Sequence, residues 1–138
     1  MRIFIDTNVL VDLLHEQRPA HQASKLIFRA AEDRRLELML TGLTLVNALY
    51  SVRKAGLDKR QLRTVVAEVL SVAMVASTDM AQLQAALVSD WPDYEDAVQY
   101  HAALSVGRVE AIVTSDANGF KGSRIEVLTP EQYIAKYL

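Results

Sequence analysis

Acids at the ends of apolar runs are the most reactive feature of this 138-residue chain. Asp6 directly follows Ile3-Phe4-Ile5 and opens the string Asp6-Thr7-Asn8. Asp93, Glu95 and Asp96 follow Pro92, where a helical period begins. Asp116 follows the apolar run that ends at Val113, in Thr114-Ser115-Asp116. Carboxylates gathered at one point repel one another and hold their protons more tightly, unless a cation neutralises them. Oxygen donors of this kind suit Mg2+ or Mn2+, hard ions that keep part of their hydration. The chain has no Cys, and no set of His accompanies the acids, so softer coordination lacks ligands. Each acid also has an ordinary reading. Asp6 suits a strand-end turn or a helix N-cap. Asp93 suits an N-cap with Asp96 at N3, and Glu95 between them is favoured by the helix dipole. Asp116, ahead of Asn118-Gly119, suits a plain turn. Only their joint placement favours chemistry.

The elements that would bring these acids together are visible in the periodicity. Ile3–Ile5 and Leu38–Leu40 read as buried strands, and Val72–Val75, Val109–Val113 and Ile125–Leu128 as further ones. Val9, Leu10, Leu13 and Leu14 recur at helical spacing. From Pro19 a second helix carries Ala23, Leu26, Ile27 and Ala30 on one face. Leu45, Val46, Leu49 and Val52 mark a third, which Gly56 ends. Asp58 caps a fourth, whose Leu62, Val65, Val66, Val69 and Leu70 form the cleanest apolar stripe of the chain. Asp79 to Val88 is expected to be helical with Met80, Leu83 and Leu87 inward. Another helix runs from Pro92 and Asp93 to about Val106, and Pro130 opens the last. Strands alternating with helices predict a three-layer α/β/α fold around a doubly wound, mostly parallel sheet. In such sheets ligands bind beyond the C-terminal strand ends, where the winding reverses. Asp6 and Asp116 stand at such ends.

Composition narrows the function. With 15 Lys+Arg and 17 Asp+Glu the formal net charge is −2, and 51% of residues are hydrophobic. The length and apolar content predict one domain over residues 1–138 and exclude a disordered chain. The absence of Cys excludes disulfides, thiolate nucleophiles and Cys-based zinc sites, and is compatible with a reducing cytoplasm. The longest uncharged run, Leu38 to Val52, contains Thr41, Gly42, Thr44, Asn47 and Ser51 and falls short of the roughly 18–20 apolar residues of a membrane span. Asp6 interrupts any N-terminal signal region. Mild acidity argues against a large uniform positive field, so a nucleic-acid substrate needs a local basic patch. Arg53, Lys54, Lys59, Arg60 and Arg63 form the densest one, and Lys121 and Arg124 follow Asp116. Tyr50, Tyr94 and Phe120 are available to stack on bases. His15 and His21 are expected to be exposed, and His101 falls off the helical face of Asp96. There is no Gly-x-Ser-x-Gly, which agrees with chemistry that needs no protein nucleophile, and no Gly-rich phosphate loop, which argues against a nucleotide cofactor. Asp6-Thr7-Asn8 lacks the second Asp that haloacid-dehalogenase-like phosphatases want, and the acidic pair of a receiver domain is absent. Gly119-Phe120-Lys121-Gly122 follows a strand instead of joining two helices, which sets aside a KH-type loop.

The segments Phe4-Ile5-Asp6-Thr7-Asn8-Val9-Leu10, Asp93-Tyr94-Glu95-Asp96-Ala97 and Ile112 to Phe120 resemble, in order and separation, the motifs of the PIN-domain family. Val127 to Tyr133 is similar to the family's usual C-terminal end, so the likeness runs over essentially the whole chain. It points to the branch of VapC-like toxin ribonucleases. The resemblance implies a ribonuclease that uses Mg2+ or Mn2+ to hydrolyse RNA phosphodiester bonds. By it, Asp6, Asp96 and Asp116 are the catalytic, metal-binding acids, and Asp93 a neighbouring support. Thr7, Asn8 and Thr114, with Ser115 a weaker case, would orient carboxylates or water by hydrogen bonds. Lys121 would contact RNA. A cognate antitoxin protein, a homodimer and a cytoplasmic setting are likewise implied. One departure stands out: the family usually carries a Glu near position 47, where this chain has Asn47. Asn47 and Tyr50 lie off the apolar stripe of their helix, which suits a site-facing position. An amide offers a carbonyl oxygen but no charge, so the cation would bind more weakly. The alternative reading is therefore a non-catalytic PIN-like domain that binds RNA or protein over a degraded metal site.

Overall fold

In the computed structural model, which describes residues 1–138, the apolar runs become five strands: β1 (Arg2–Ile5), β2 (Glu37–Thr41), β3 (Ala73–Ala76), β4 (Ala111–Val113) and β5 (Glu126–Leu128). They form one sheet in the order β3-β2-β1-β4-β5, and every pairing is parallel. The helices are α1 (Thr7–Leu14), α2 (His21–Glu32), α3 (Gly42–Lys54), α4 (Lys59–Val72), α5 (Met80–Leu87), α6 (Tyr94–Val106) and α7 (Pro130–Tyr137). A single 3-10 turn, Ala117–Phe120, lies between β4 and β5.

The central strands are apolar on both faces because helices cover both faces. Ile3, Ile5, Leu38, Leu40, Ala111 and Val113 pack with Val9, Leu10, Ile27, Ala48, Val69 and Tyr133 from α1 to α4 and α7. The intervening Phe4, Met39 and Ile112 face the other way, onto Tyr100, Ala102 and Ala103 of α6 and onto Phe120. This alternation makes three layers, as expected. Each such side chain, fully buried, contributes about 1.5–3 kcal/mol.

Helix ends follow the local chemistry. Asp58 and Asp79 form capping boxes with Gln61 and Gln82, and Thr129 does so with Gln132 ahead of Pro130 at the helix start. Gly56, at φ +107°, takes the left-handed conformation that ends α3. Several boundaries shift. The second helix starts at His21, not Pro19, and α6 starts at Tyr94 with Asp93 as its cap. Val72 completes α4, so β3 begins at Ala73. Only three residues of the run from Val109 pair as β4.

The apolar stripes mark faces less well than expected. On α4 only Val69 is fully buried, and Leu70 is half exposed. On α5 the residues predicted to point inward, Met80, Leu83 and Leu87, are 67%, 38% and 72% exposed, while Ala86 is buried. That helix packs against Ala97 and Val98 of α6 rather than on the sheet, and small residues set the contact. Leu26 and Val46 are also exposed. Periodicity locates an apolar face; it does not say whether another layer covers it. No helix is long and apolar enough to cross a membrane.

Candidate functional site

The winding of the sheet reverses between β1 and β4, which are paired Ile5 to Val113. The Asp6 N–H donates to the Val113 carbonyl at 3.0 Å, so Asp6 and Thr114 emerge side by side. Asp6 is buried. Its Oδ1 accepts from the Thr7 N–H at 2.7 Å, and its Oδ2 accepts from Asn8 Nδ2 at 3.2 Å and from the Thr114 hydroxyl at 2.9 Å. Thr114 Oγ1 in turn accepts from Asn8 Nδ2 at 3.3 Å and from the Asp116 N–H at 3.0 Å. Asn8 Oδ1 accepts from the Ser115 N–H at 3.0 Å. Asn8 and Thr114 thus bind the first acid to the loop that carries the third. Thr7 orients Asp6 through its backbone, and its own hydroxyl is buried with no partner.

The third contribution comes from the start of α6. Asp93 Oδ1 accepts from the Asp96 N–H at 2.9 Å, the ordinary capping role. The same turn also presents Asp93, Glu95 and Asp96 to a cavity of about 450 Å3 that Asp6 and Asp116 line from the strand ends. Thr7, Asn8, Val11, Arg18 and Ser51 complete its wall. Gly119 is what allows the approach. A Cβ there would lie 2.5 Å from Asp96 Oδ2 and 3.6 Å from Asp116 Oδ2, so the Asp96 carboxylate takes the space of a side chain, with Asp116 in van der Waals reach of it.

The crowding is legible in the proton affinities. Burial pushes Asp96 up to about 7, and the charges of Asp6, Asp93, Glu95 and Asp116 add to it. Asp6 is raised mainly by burial, against the hydrogen bonds of Thr114, Thr7 and Gln99. Glu95 is raised by burial and then by Asp6 and Asp93.

Two residues here, Gln99 and Arg18, have no site role legible in the sequence. Glu95 stands there among the acids that open the helix, without a place in the set implied by the resemblance. Its carboxylate accepts from Gln99 Nε2, and the nearby Asn47 amide of α3 offsets part of the rise in its proton affinity. Gln99 is wholly buried. Its Nε2 donates to Glu95 Oε1 at 3.3 Å, and its Oε1 accepts from the Thr44 hydroxyl at 3.3 Å. The one signal for it is a lone amide four residues after Glu95 on a face otherwise made of Ala and Val. Arg18 has no local signal, because its place at the cavity depends on how α1 packs against the β4 loop.

Other expected residues are placed differently. Asn47 does not line the cavity and bears on the acids only by lowering the proton affinity of Glu95. Lys121 is exposed after the 3-10 turn and stands outside the cavity wall. Phe120 is buried edge-on against Trp91 at 5.6 Å, which removes it as a base-stacking surface. Tyr94 is half exposed, its hydroxyl donating to the Leu83 carbonyl at 2.9 Å. Tyr50 is exposed with Lys54 Nζ 4.6 Å from its ring centre. His15 and His21 are partly buried rather than exposed, with His21 Nδ1 3.0 Å from the Asp12 carbonyl. Of the basic cluster, Arg53, Lys59 and Arg63 line a common groove of about 510 Å3 at the turn between α3 and α4.

A hard divalent cation fits this donor set in its chemistry. The carboxylates around the cavity are all oxygen donors, and Thr7 adds a buried hydroxyl that no protein group satisfies. No three His, Cys, Asp or Glu side chains close into a ligand cluster. An open ring of acids suits an ion held partly through its own water, as Mg2+ commonly is.

This fold and this acid-lined strand edge define a class. The chain belongs to the PIN-domain family, whose profile, described as PIN domain, matches residues 2–118. Among curated proteins it is similar to one named Ribonuclease VapC1, from Aquifex aeolicus (strain VF5), at 27% identity over 141 residues, covering 99% of this chain and 95% of that protein. Among solved structures it resembles VapBC2 from Rickettsia felis bound to a DNA fragment from their promoter, with a TM-score of 0.63 and 14% identity over 93% of this chain and 97% of that one. The VapC-like PIN fold read from the motifs is thereby borne out.

Proposed function

We propose that this chain is a single-domain endoribonuclease, the toxin of a toxin–antitoxin module, that hydrolyses RNA phosphodiester bonds at the acid cavity with Mg2+ or Mn2+. The observation that carries the reading is the convergence of Asp6, Asp96 and Asp116 on one cavity beyond β1 and β4, with neither Cys nor His in its wall. The similarity to Ribonuclease VapC1 over nearly the whole chain supports it. Asp6, Asp96 and Asp116 would hold the cation, Asp96 and Asp116 from beside Gly119 and Asp6 from the floor. When bound there, it supplies water activation and neutralises charge on the phosphoryl oxygens. Asn8 and Thr114 aim Asp6 by donating to Oδ2, and the Thr114 bond opposes the rise that burial causes in its proton affinity. Asp93 holds the first turn of α6 in place through its cap. Glu95 adds negative charge next to Asn47. The exposed Lys121 and the groove of Arg53, Lys59 and Arg63 are candidate contacts for the RNA backbone beyond the cavity.

The antitoxin follows from the kind of assembly named for the Rickettsia felis structure. A homodimer accords with the apolar residues that α5 leaves in solvent, Met80, Leu83 and Leu87. Action on cellular RNA places the protein in the cytoplasm.

The test is cleavage of single-stranded RNA by the purified chain with Mn2+, without Mn2+, and with Asp6→Asn, which keeps shape and removes charge. Cleavage that needs both Mn2+ and Asp6 is the expected result. Asn47, together with the absence of a closed ligand cluster, favours a second reading: a domain that binds RNA or protein without cutting. RNA binding without cleavage at any Mn2+ concentration would establish that reading instead.

A further inference from the structure

We infer that Arg18 is the residue that receives the scissile region of the substrate, binding a backbone phosphate at the wall of the acid cavity. The inference rests on the ribonuclease reading and adds to it a specific contact.

The need for such a residue is electrostatic. Five carboxylates, Asp6, Asp93, Glu95, Asp96 and Asp116, line the cavity. One divalent cation offsets two charges, so the cavity stays hostile to a phosphodiester unless a protein cation shares its wall. Arg18 is the one Lys or Arg among the lining residues. Lys121, the cation nearest Asp116 in the sequence, is not among them.

The side chain is also held ready. Arg18 Nε donates to Asp12 Oδ1 at 2.5 Å, and Asp12 is almost wholly buried while the Arg18 side chain is 42% exposed. Asp12 is itself fixed from the other side, where its Oδ2 accepts from the Ser115 hydroxyl at 2.8 Å. Ser115 belongs to the loop that carries Asp116, so one buried carboxylate couples the arginine to the acid site. The loop is pinned through its backbone as well. The Arg18 N–H donates to the His15 carbonyl and the Arg18 carbonyl accepts from the His21 N–H, both at 3.0 Å. Serving only as the counter-ion of Asp12 would require one edge of the guanidinium. That edge is Nε, and both Nη groups are left without a protein acceptor at the cavity. A planar fork with two unpaired Nη groups, on a residue that lines an open, acid-walled space, has the donors to take two phosphate oxygens. Because the loop and Nε are already ordered, little side-chain freedom is lost on binding.

The experiment measures anisotropy of a fluorescein-labelled, mixed-sequence single-stranded RNA in Ca2+ across a salt series, with Mn2+ titrated calorimetrically in parallel. Arg18→Gln is expected to weaken RNA binding by about tenfold or more and to lower the salt slope by about 0.7, the value of one single-strand phosphate contact. In Mn2+ turnover it should raise KM more than it lowers kcat, and Mn2+ affinity should not fall. Arg18→Lys should recover part of the binding. Removing Arg18 leaves Asp12 buried and unpaired, so the pair Asp12→Asn with Arg18→Gln guards against loss of fold. If Arg18→Gln, or that pair, binds RNA with wild-type affinity and slope, the assignment is overturned while cleavage by the wild type stands. A wild type that neither binds nor cuts RNA overturns both readings.

Discussion

Substitution Asp96→Asn tests the crowding of the acid cavity directly. The ordinary Asp96 carboxyl titrates near 3.8, and burial with four neighbouring acids carries it to about 7 in the folded chain. Between those values the folded state holds a proton that the unfolded state has released, so stability falls as pH rises through this window and levels off above it. Without screening the full effect would be about 4 kcal/mol, at 1.36 kcal/mol per pKa unit. The carboxyl faces an open cavity, and solvent screening there reduces the expected effect to about 1–2 kcal/mol. The Asp96 side chain accepts no protein hydrogen bond that an amide would forfeit. In EDTA, Asp96→Asn should therefore melt about 3–8 °C above wild type at pH 8 and match it near pH 4. Differential scanning fluorimetry over a pH series reads this directly. Saturating Mn2+ should reverse the order, since a ligand at 100 times its Kd adds about 2.7 kcal/mol to the wild type alone. A variant no more stable than wild type at pH 8, or equally stabilised at pH 4, would show that the acids do not strain one another.

Gly119→Ala offers a complementary perturbation. The new Cβ would displace the end of a flexible carboxylate rather than backbone, so stability should change by less than about 1 kcal/mol. Mn2+ affinity, measured by calorimetry, should nevertheless fall about tenfold or more, because Asp96 has to rotate away from Asp116. Gln99→Leu should cost about 1–3 kcal/mol in urea unfolding, since Thr44 and Glu95 lose a hydrogen-bond partner. Joint removal of charge at Lys59 and Arg63 should leave the melting temperature unchanged and flatten the salt dependence of RNA binding, by about 0.7 for each phosphate that is no longer neutralised.

Much of this protein is written locally. Ile3-Phe4-Ile5 and Leu38-Met39-Leu40 are strands because uninterrupted apolar runs of that length suit a sheet buried on both sides. Asp58, Asp79, Asp93 and Thr129 start helices because a side-chain oxygen can satisfy an N–H of the first turn. Asp6 caps α1 in the same way, whereas Asp116 makes no capping bond, and the order and spacing of the two carry the family likeness. These signals act over a few residues, so they survive reading one residue at a time.

What the chain could not announce is whatever depends on which surfaces meet. The strand order puts β1 beside β4 across more than a hundred residues, and that adjacency alone makes Asp6 and Thr114 neighbours. Gln99 reaches Thr44, and Glu95 and Arg18 reach the cavity, only once helices have packed. The outward Met80 and Leu87 show the converse, since an apolar face is buried only if another layer covers it. Side-chain chemistry and short-range hydrogen bonding are properties of a segment. Burial and the electrostatic field are properties of everything around it, and only folding assembles those surroundings.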